Sequence, residues 1–139
     1  MNHSNLKKTN PPTLHKPFDN LYAHVVSVDC GRLHRISGIV AIDAERNNLA
    51  VGDLAGQITA VYEQITDALG AVGCDWGDVI HIYTFTTDMD AYVAAERTIA
   101  PSYLGLEPPA STLVQVSRLV DREWLVEVQV DAVGGTDGS

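Results

Sequence analysis

The stretch WLVEVQVDAV, residues 124 to 133, alternates apolar and polar side chains over most of its length. Strand side chains point to opposite faces in turn, so Leu125, Glu127, Gln129 and Asp131 share one face, and Val126, Val128 and Val130 share the other. A polar row thus lies back to back with a valine row. Thr112 to Arg118 alternates in the same way and is expected to form another strand.

Working back along the chain, VIHIYTFTT (residues 79–87) reads as a strand, followed by a short helix from Asp90 to Ile99. Upstream, Leu54, Ile58, Val61, Ile65 and Leu69 recur at helical spacing and make one apolar stripe. Asp53 is the expected N-cap of that helix, and Gly70 or Gly73 lies near its end. A turn at Asp75-Trp76-Gly77-Asp78 separates this helix from the strand that follows. Pro101, Pro108 and Pro109 bracket a loop. Leu21 to Val28 and Leu33 to Ala41 are rich in β-branched and apolar residues. With Asp29-Cys30-Gly31-Arg32 between them, they are expected to pair as a β-hairpin.

The order β-β-α-β-α-β, followed by the closing strand, describes an α+β domain in which two helices cover only one face of a sheet. The second face needs cover of its own, and pairing with further copies of the chain supplies it economically.

One domain fits the length of 139 residues. Residues 1–17, polar and proline-rich, are expected to be a flexible N-terminal arm. Residues 18–133 form the folded body, and 134–139 a flexible, glycine-rich tail. The arm has no apolar core of a secretory signal, and no stretch is apolar enough to span a membrane, so a cytoplasmic protein without a membrane partner is expected.

All three lysines, Lys7, Lys8 and Lys16, fall in the arm, which leaves six arginines against 18 acids, a balance of −12, in the remainder. Such a surface repels polyanions, and no nucleic acid partner is expected. The lack of lysine in the body also argues against Schiff-base chemistry. Cys30 and Cys74 match no redox or metal spacing and are expected to be buried thiols. The five histidines, His3, His15, His24, His34 and His81, show no zinc-ligand spacing, so no metal site is expected.

Five segments in this order and at these distances carry a likeness: SGIVA, QITAVYEQITDALGAVGCDWGDVI, FTTDMDAY, PPASTLVQVSRL and LVEVQV. Together, across roughly Tyr22 to Val133, they resemble the RidA (YjgF) family. The resemblance implies a chorismate-mutase-like fold, a homotrimer whose sheets form a central barrel, and clefts between subunits. There, enamines and imines are hydrolysed without metal or organic cofactor.

On that resemblance Glu127 is the acid that holds and polarises the attacking water. Gly38 matches a glycine whose backbone lies close to the ligand. The chain departs from the family at PPAST, where the active deaminases have an arginine that grips the substrate carboxylate and this chain has Ser111. It departs again where His24 replaces a common cleft tyrosine, and where Glu96, beside Arg97, replaces a common asparagine. His24 is a candidate acid or base, or equally a packed strand residue. Arg97 either substitutes for the missing arginine or makes a surface ion pair. Ser111 and Thr112 are expected to orient the substrate. Tyr22, Tyr83, Tyr103 and His81 are further candidates for lining the cleft.

The first functional expectation is a cofactor-independent, deaminase-like hydrolase or tautomerase acting on an enamine, imine or related small unsaturated amine. In it Glu127 and His24 are the catalytic pair. The alternative is a trimeric small-molecule binding protein that lost deaminase activity with the arginine. Ribonuclease activity, suggested by an older family name, conflicts with the charge of the body.

Overall fold

A computed structural model describes residues 5–134. In chain order it contains strands β1 (Leu6–Thr9), β2 (Val25–Val28) and β3 (Leu33–Ile39), then helix α1 (Leu54–Ala71) and strand β4 (Val79–Thr86). Helices α2 (Met89–Ile99) and α3 (Pro101–Leu104) follow, then strands β5 (Ala110–Gln115) and β6 (Val126–Val133). Four strands make the main sheet in the order β3-β6-β4-β5, while β1 and β2 pair as a separate antiparallel ribbon.

β6 is an interior strand, antiparallel to both β3 and β4. Its valine row, Val126, Val128 and Val130, is fully buried, as are Ile58, Val61, Ile65 and Leu69 on the inner stripe of α1. The chain leaves β4, turns back through α2 and α3, and enters β5 parallel to β4, the connection that a parallel pair requires. Mixed α+β architecture with two main helices on one face of the sheet is therefore what the residue pattern implied.

Local chemistry sets the ends of α1. The Asp53 side chain accepts from the amide of Gly56 at 3.0 Å, as an N-cap does. At the other end the Gly73 amide donates to Gly70 O, and the positive φ of Gly73, 73°, turns the chain so that the next amide, of Cys74, reaches Leu69 O. This paired closure satisfies carbonyls that a helix end leaves free. The turn that follows is locked reciprocally: Asp75 Oδ1 accepts from Gly77 N, and Asp78 Oδ2 accepts from Asp75 N, both at 2.9 Å.

Several expectations give way. Leu21–Val28 and Leu33–Ala41 do not form a hairpin. β2 pairs with β1, Leu6 opposite Val28 and Thr9 opposite Val25, and β3 pairs with β6. The physical reason is burial: β3 gains an apolar interior neighbour in β6, which the half-exposed β2 cannot offer. Part of the expected loose arm is thus a strand, and Lys8 Nζ donates to the carbonyl of Glu107. Residues 1–4 of that arm, and 135–139 of the expected tail, lie outside the described residues. Cys74 is buried but Cys30 is exposed, because it sits in the turn after β2 and not in a strand. The loop expected after Pro101 begins with a helical turn, proline standing at its first position, where no amide is needed. Among the described residues no helix is long and apolar enough to cross a membrane.

Truncating Ile65, which is 0% exposed, to alanine is expected to cost about 2–5 kcal/mol in urea unfolding. Asp53→Ala, which removes only the cap, is expected to cost about 1 kcal/mol. Equal losses at the two sites would contradict the division between core and cap.

Candidate functional site

Between Ile36 and Ile39 the register of β3 against β6 slips, three steps on β3 facing two on β6. The extra residue is a bulge, a device that bends a strand and commonly stands beside functional sites. Gly38 lies in it. A methyl group built on Gly38 would overlap the Glu127 carboxylate. Glycine is therefore needed here for room, since the carboxylate of β6 lies directly over the backbone of β3. Glu127 is half-buried and, among the described residues, has no hydrogen-bond or ion-pair partner. Its carboxylate oxygens are acceptors that no other described side chain engages.

Glu127 belongs to the sheet face turned away from the helices. In register with it and its strand mates lie Phe85 opposite Glu127, Tyr83 opposite Gln129 and His81 opposite Asp131. Thr112, opposite Tyr83 on β5, places its hydroxyl 3.3 Å from His81 Nε2. The His81 and Tyr83 rings lie against each other at a tilt of 59°, with centroids 3.9 Å apart. Burial pulls the His81 pKa down, and the charge of Asp131 only partly restores it. Asp131 Oδ1 lies 3.3 Å from Arg35 Nε, within ion-pair reach but out of line for a hydrogen bond. This face therefore carries two carboxylates and an uncharged-leaning imidazole.

Ser111 points the other way. It is opposite Ile82, and Ile82 faces the helices, so alternation puts Ser111 and Leu113 on the helix side at the β5 edge. There they border a cavity of about 360 Å³, whose wall also includes Glu96 and Arg97 of α2 and Asp19 and Tyr22 of the segment before β2. Arg97 Nε is 3.2 Å from Asp19 Oδ2, and both side chains are more than half exposed. Arg97 thus makes a surface ion pair while also lining the cavity, with a partner that sequence spacing does not indicate. Burial raises the Glu96 pKa. The nearby Tyr92 hydroxyl lowers it in part without completing a hydrogen bond of standard geometry, and that hydroxyl is itself buried and unpartnered.

His24 joins neither group. Its backbone amide donates to Asn10 Oδ1 at 2.8 Å, and its Nε2 donates to the carbonyl of His15 at 2.7 Å. The His15 and Tyr22 rings pack against it, with centroids 4.8 and 5.6 Å away. In this chain it holds the segment before β2. Tyr103 is likewise committed elsewhere, its hydroxyl donating to Glu63 Oε1 at 2.5 Å.

The expected site residues thus separate into two surfaces. Glu127, Gly38 and Thr112 lie on the helix-free face, while Ser111, Glu96 and Arg97 lie around the cavity on the other. β4 stands between Glu127 on β6 and Ser111 on β5. Among the described residues no group of three or more His, Cys, Asp or Glu side chains is arranged to hold a metal.

Comparison with known proteins gives a consistent picture. A family model described as Endoribonuclease L-PSP matches residues 15–134. The 3-aminoacrylate deaminase RutC of Acinetobacter baylyi is 32% identical over 108 residues, 78% of this chain and 84% of that protein. The 2-iminobutanoate/2-iminopropanoate deaminase of Mus musculus is 29% identical over 114 residues, 82% of each. Among solved structures, YyfB of the Rid protein family from Yersinia pestis superposes with a TM-score of 0.86 at 27% identity, covering 93% of this chain and 98% of that one. Relatives thus include deaminases of both an enamine acid and imino acids. With the family model spanning nearly all the described residues and the neighbouring structure superposing over nearly the whole of both chains, the chain belongs to the Rid (YjgF) family, whose model bears the endoribonuclease L-PSP description.

Proposed function

We propose that this protein is a cofactor-independent, deaminase-like hydrolase of enamines or imines, working in clefts that two copies of the chain complete together. The observation that carries this reading is the separation just described. Glu127 and Ser111 face opposite sides of one sheet, so a small substrate can touch both only if a second chain brings one surface to the other. A helix-free face with Val114 and Leu33 exposed at its edges suits such packing. The homotrimer with a central barrel is the assembly proposed, and the cytoplasm the proposed setting.

Chemically, an enamine first gains a proton at carbon to become an iminium. Water then adds to the iminium carbon, giving a carbinolamine that expels ammonia and leaves a carbonyl. The iminium is already electrophilic, so the protein's main tasks are to hold water and to take its proton. Glu127 is suited to both, because its carboxylate is fixed over Gly38 and unengaged. Thr112 and His81, hydrogen-bonded to each other on the same face, are placed to orient what binds there. His24, committed to the carbonyl of His15, acts in this reading as a support for the chain before β2 and no longer as an acid or base.

The alternative, a binding protein without turnover, is favoured by one observation: the serine at position 111 in place of a carboxylate-gripping arginine. RNA cleavage is disfavoured by 18 acids against six arginines outside the arm.

Two measurements test the proposal. Glu127→Ala and Gly38→Ala are each expected to lower imine hydrolysis by about 10²–10⁴-fold, the first by removing the carboxylate and the second by displacing it. A purified protein that hydrolyses no member of an enamine and imine panel faster than Glu127→Ala would leave the binding reading in possession. Ser111→Arg is expected to raise turnover of carboxylate-bearing enamines such as 2-aminoacrylate at least tenfold. A flat response in that assay would mean that the pocket, and not the single residue, has diverged.

A further inference from the structure

The cavity that Ser111 borders has an unusual balance of groups. Phe18, Leu21, Tyr22, Val93 and Leu113 give it an apolar lining. Its one cation, Arg97, is already engaged by Asp19. An incoming carboxylate would have to displace Asp19 and would be repelled by Glu96 as well. Glu96, by contrast, has no cationic partner among the described residues. Its carboxyl is held above the usual range by burial, so it gains most from a ligand that brings a positive charge to it. Ser111 adds a hydroxyl that donates or accepts. About 360 Å³ lies at the small end of ligand pockets and suits a single ring or a short branched chain.

We propose that this cavity is a subsite for an apolar body ending in a protonated amine or iminium, with Glu96 as its counter-ion and Ser111 as a second hydrogen-bond partner. Substrates that end in a carboxylate at that point are excluded from it. The inference deepens the proposed function by naming a substrate class. It rests on that reading for the reaction, but its binding claim is independent of turnover.

The test uses the full chain in its native assembly and three probes with one body and different ends: phenethylamine, 2-phenylethanol and 3-phenylpropanoate. Titration calorimetry is expected to show the amine binding at least tenfold more tightly than the acid, with the alcohol between them. Glu96→Gln is expected to weaken the amine at least tenfold, and Ser111→Arg to reverse the order of amine and acid. Loss of fold does not account for the first effect. A carboxyl group whose pKa is raised by folding loses stability as pH rises through that raised value. Glu96→Gln should therefore melt above the parent at pH 7, and the gap should close as pH falls below the ordinary glutamate value of 4.5. Tyr92, Tyr62, Arg97 and Asp19 are the titratable groups near enough to modulate that gap.

Acid binding as well as amine, absence of amine binding, or unchanged amine affinity in Glu96→Gln would each overturn the proposal. The two readings fail separately. Selective amine binding without imine hydrolysis sinks only the enzyme, while hydrolysis of carboxylate-bearing imines without amine preference sinks only the subsite.

Discussion

The structure depends on β6 having neighbours on both sides and only one apolar face. Its valines enter the apolar core beneath α1, and this burial fixes the register of every other side chain on the strand. A slip of one residue would send Val126, Val128 and Val130 into the open and drive Glu127 under the helices, where an unpaired carboxylate is strongly disfavoured. The same constraint that builds the core therefore aims the acid. Hydrophobic packing on one side of the strand is what gives the other side a defined chemical direction.

The bulge in β3 converts that direction into a position. Without Gly38 the carboxylate would have to swing away from the sheet. With it, the carboxylate lies against backbone and keeps its oxygens unengaged. On the far side of the sheet the arrangement is opposite in character. Glu96 is half withdrawn from water beside the orphaned hydroxyl of Tyr92, and its neighbour Arg97 is drawn outward to Asp19. One surface presents a ready acceptor, and the other a carboxylate in want of a partner.

Much of this was legible in the residues, and the reasons differ by element. α1 was readable because its stripe, its cap and its terminal glycine are all local signals, and the α+β class followed from it and from the alternation of β6. The pairing of β2 was not readable, since Leu6–Thr9 is short and polar and competes with β3 only through long-range geometry. β5 begins two residues before its expected start, because parallel hydrogen bonding to His81 extends it to Ala110. For the site, Glu127 and Gly38 stand out in the sequence only through family likeness, and their contact across β3 and β6 becomes visible only in the fold. That Ser111 and Glu127 occupy opposite faces follows only once both strands have partners. The engagement of Arg97 by Asp19 requires a turn at Phe18–Asn20 with positive φ at Asp19, which no spacing rule indicates.

The strand order carries a further consequence for how the protein comes into being. β1 and β2 are near neighbours in the chain and can zip together early, but β3 has β6 as its partner in the main sheet, and β6 is the last of the described strands to be made. During synthesis β3 waits with an unpaired edge while three helices and two more strands are added, and the sheet closes in one late, long-range event. Nascent chains in that interval expose apolar strands that are prone to pair with one another. A protein built around its final strand thus relies on rapid completion, or on a chaperone, for the span between its third strand and its sixth.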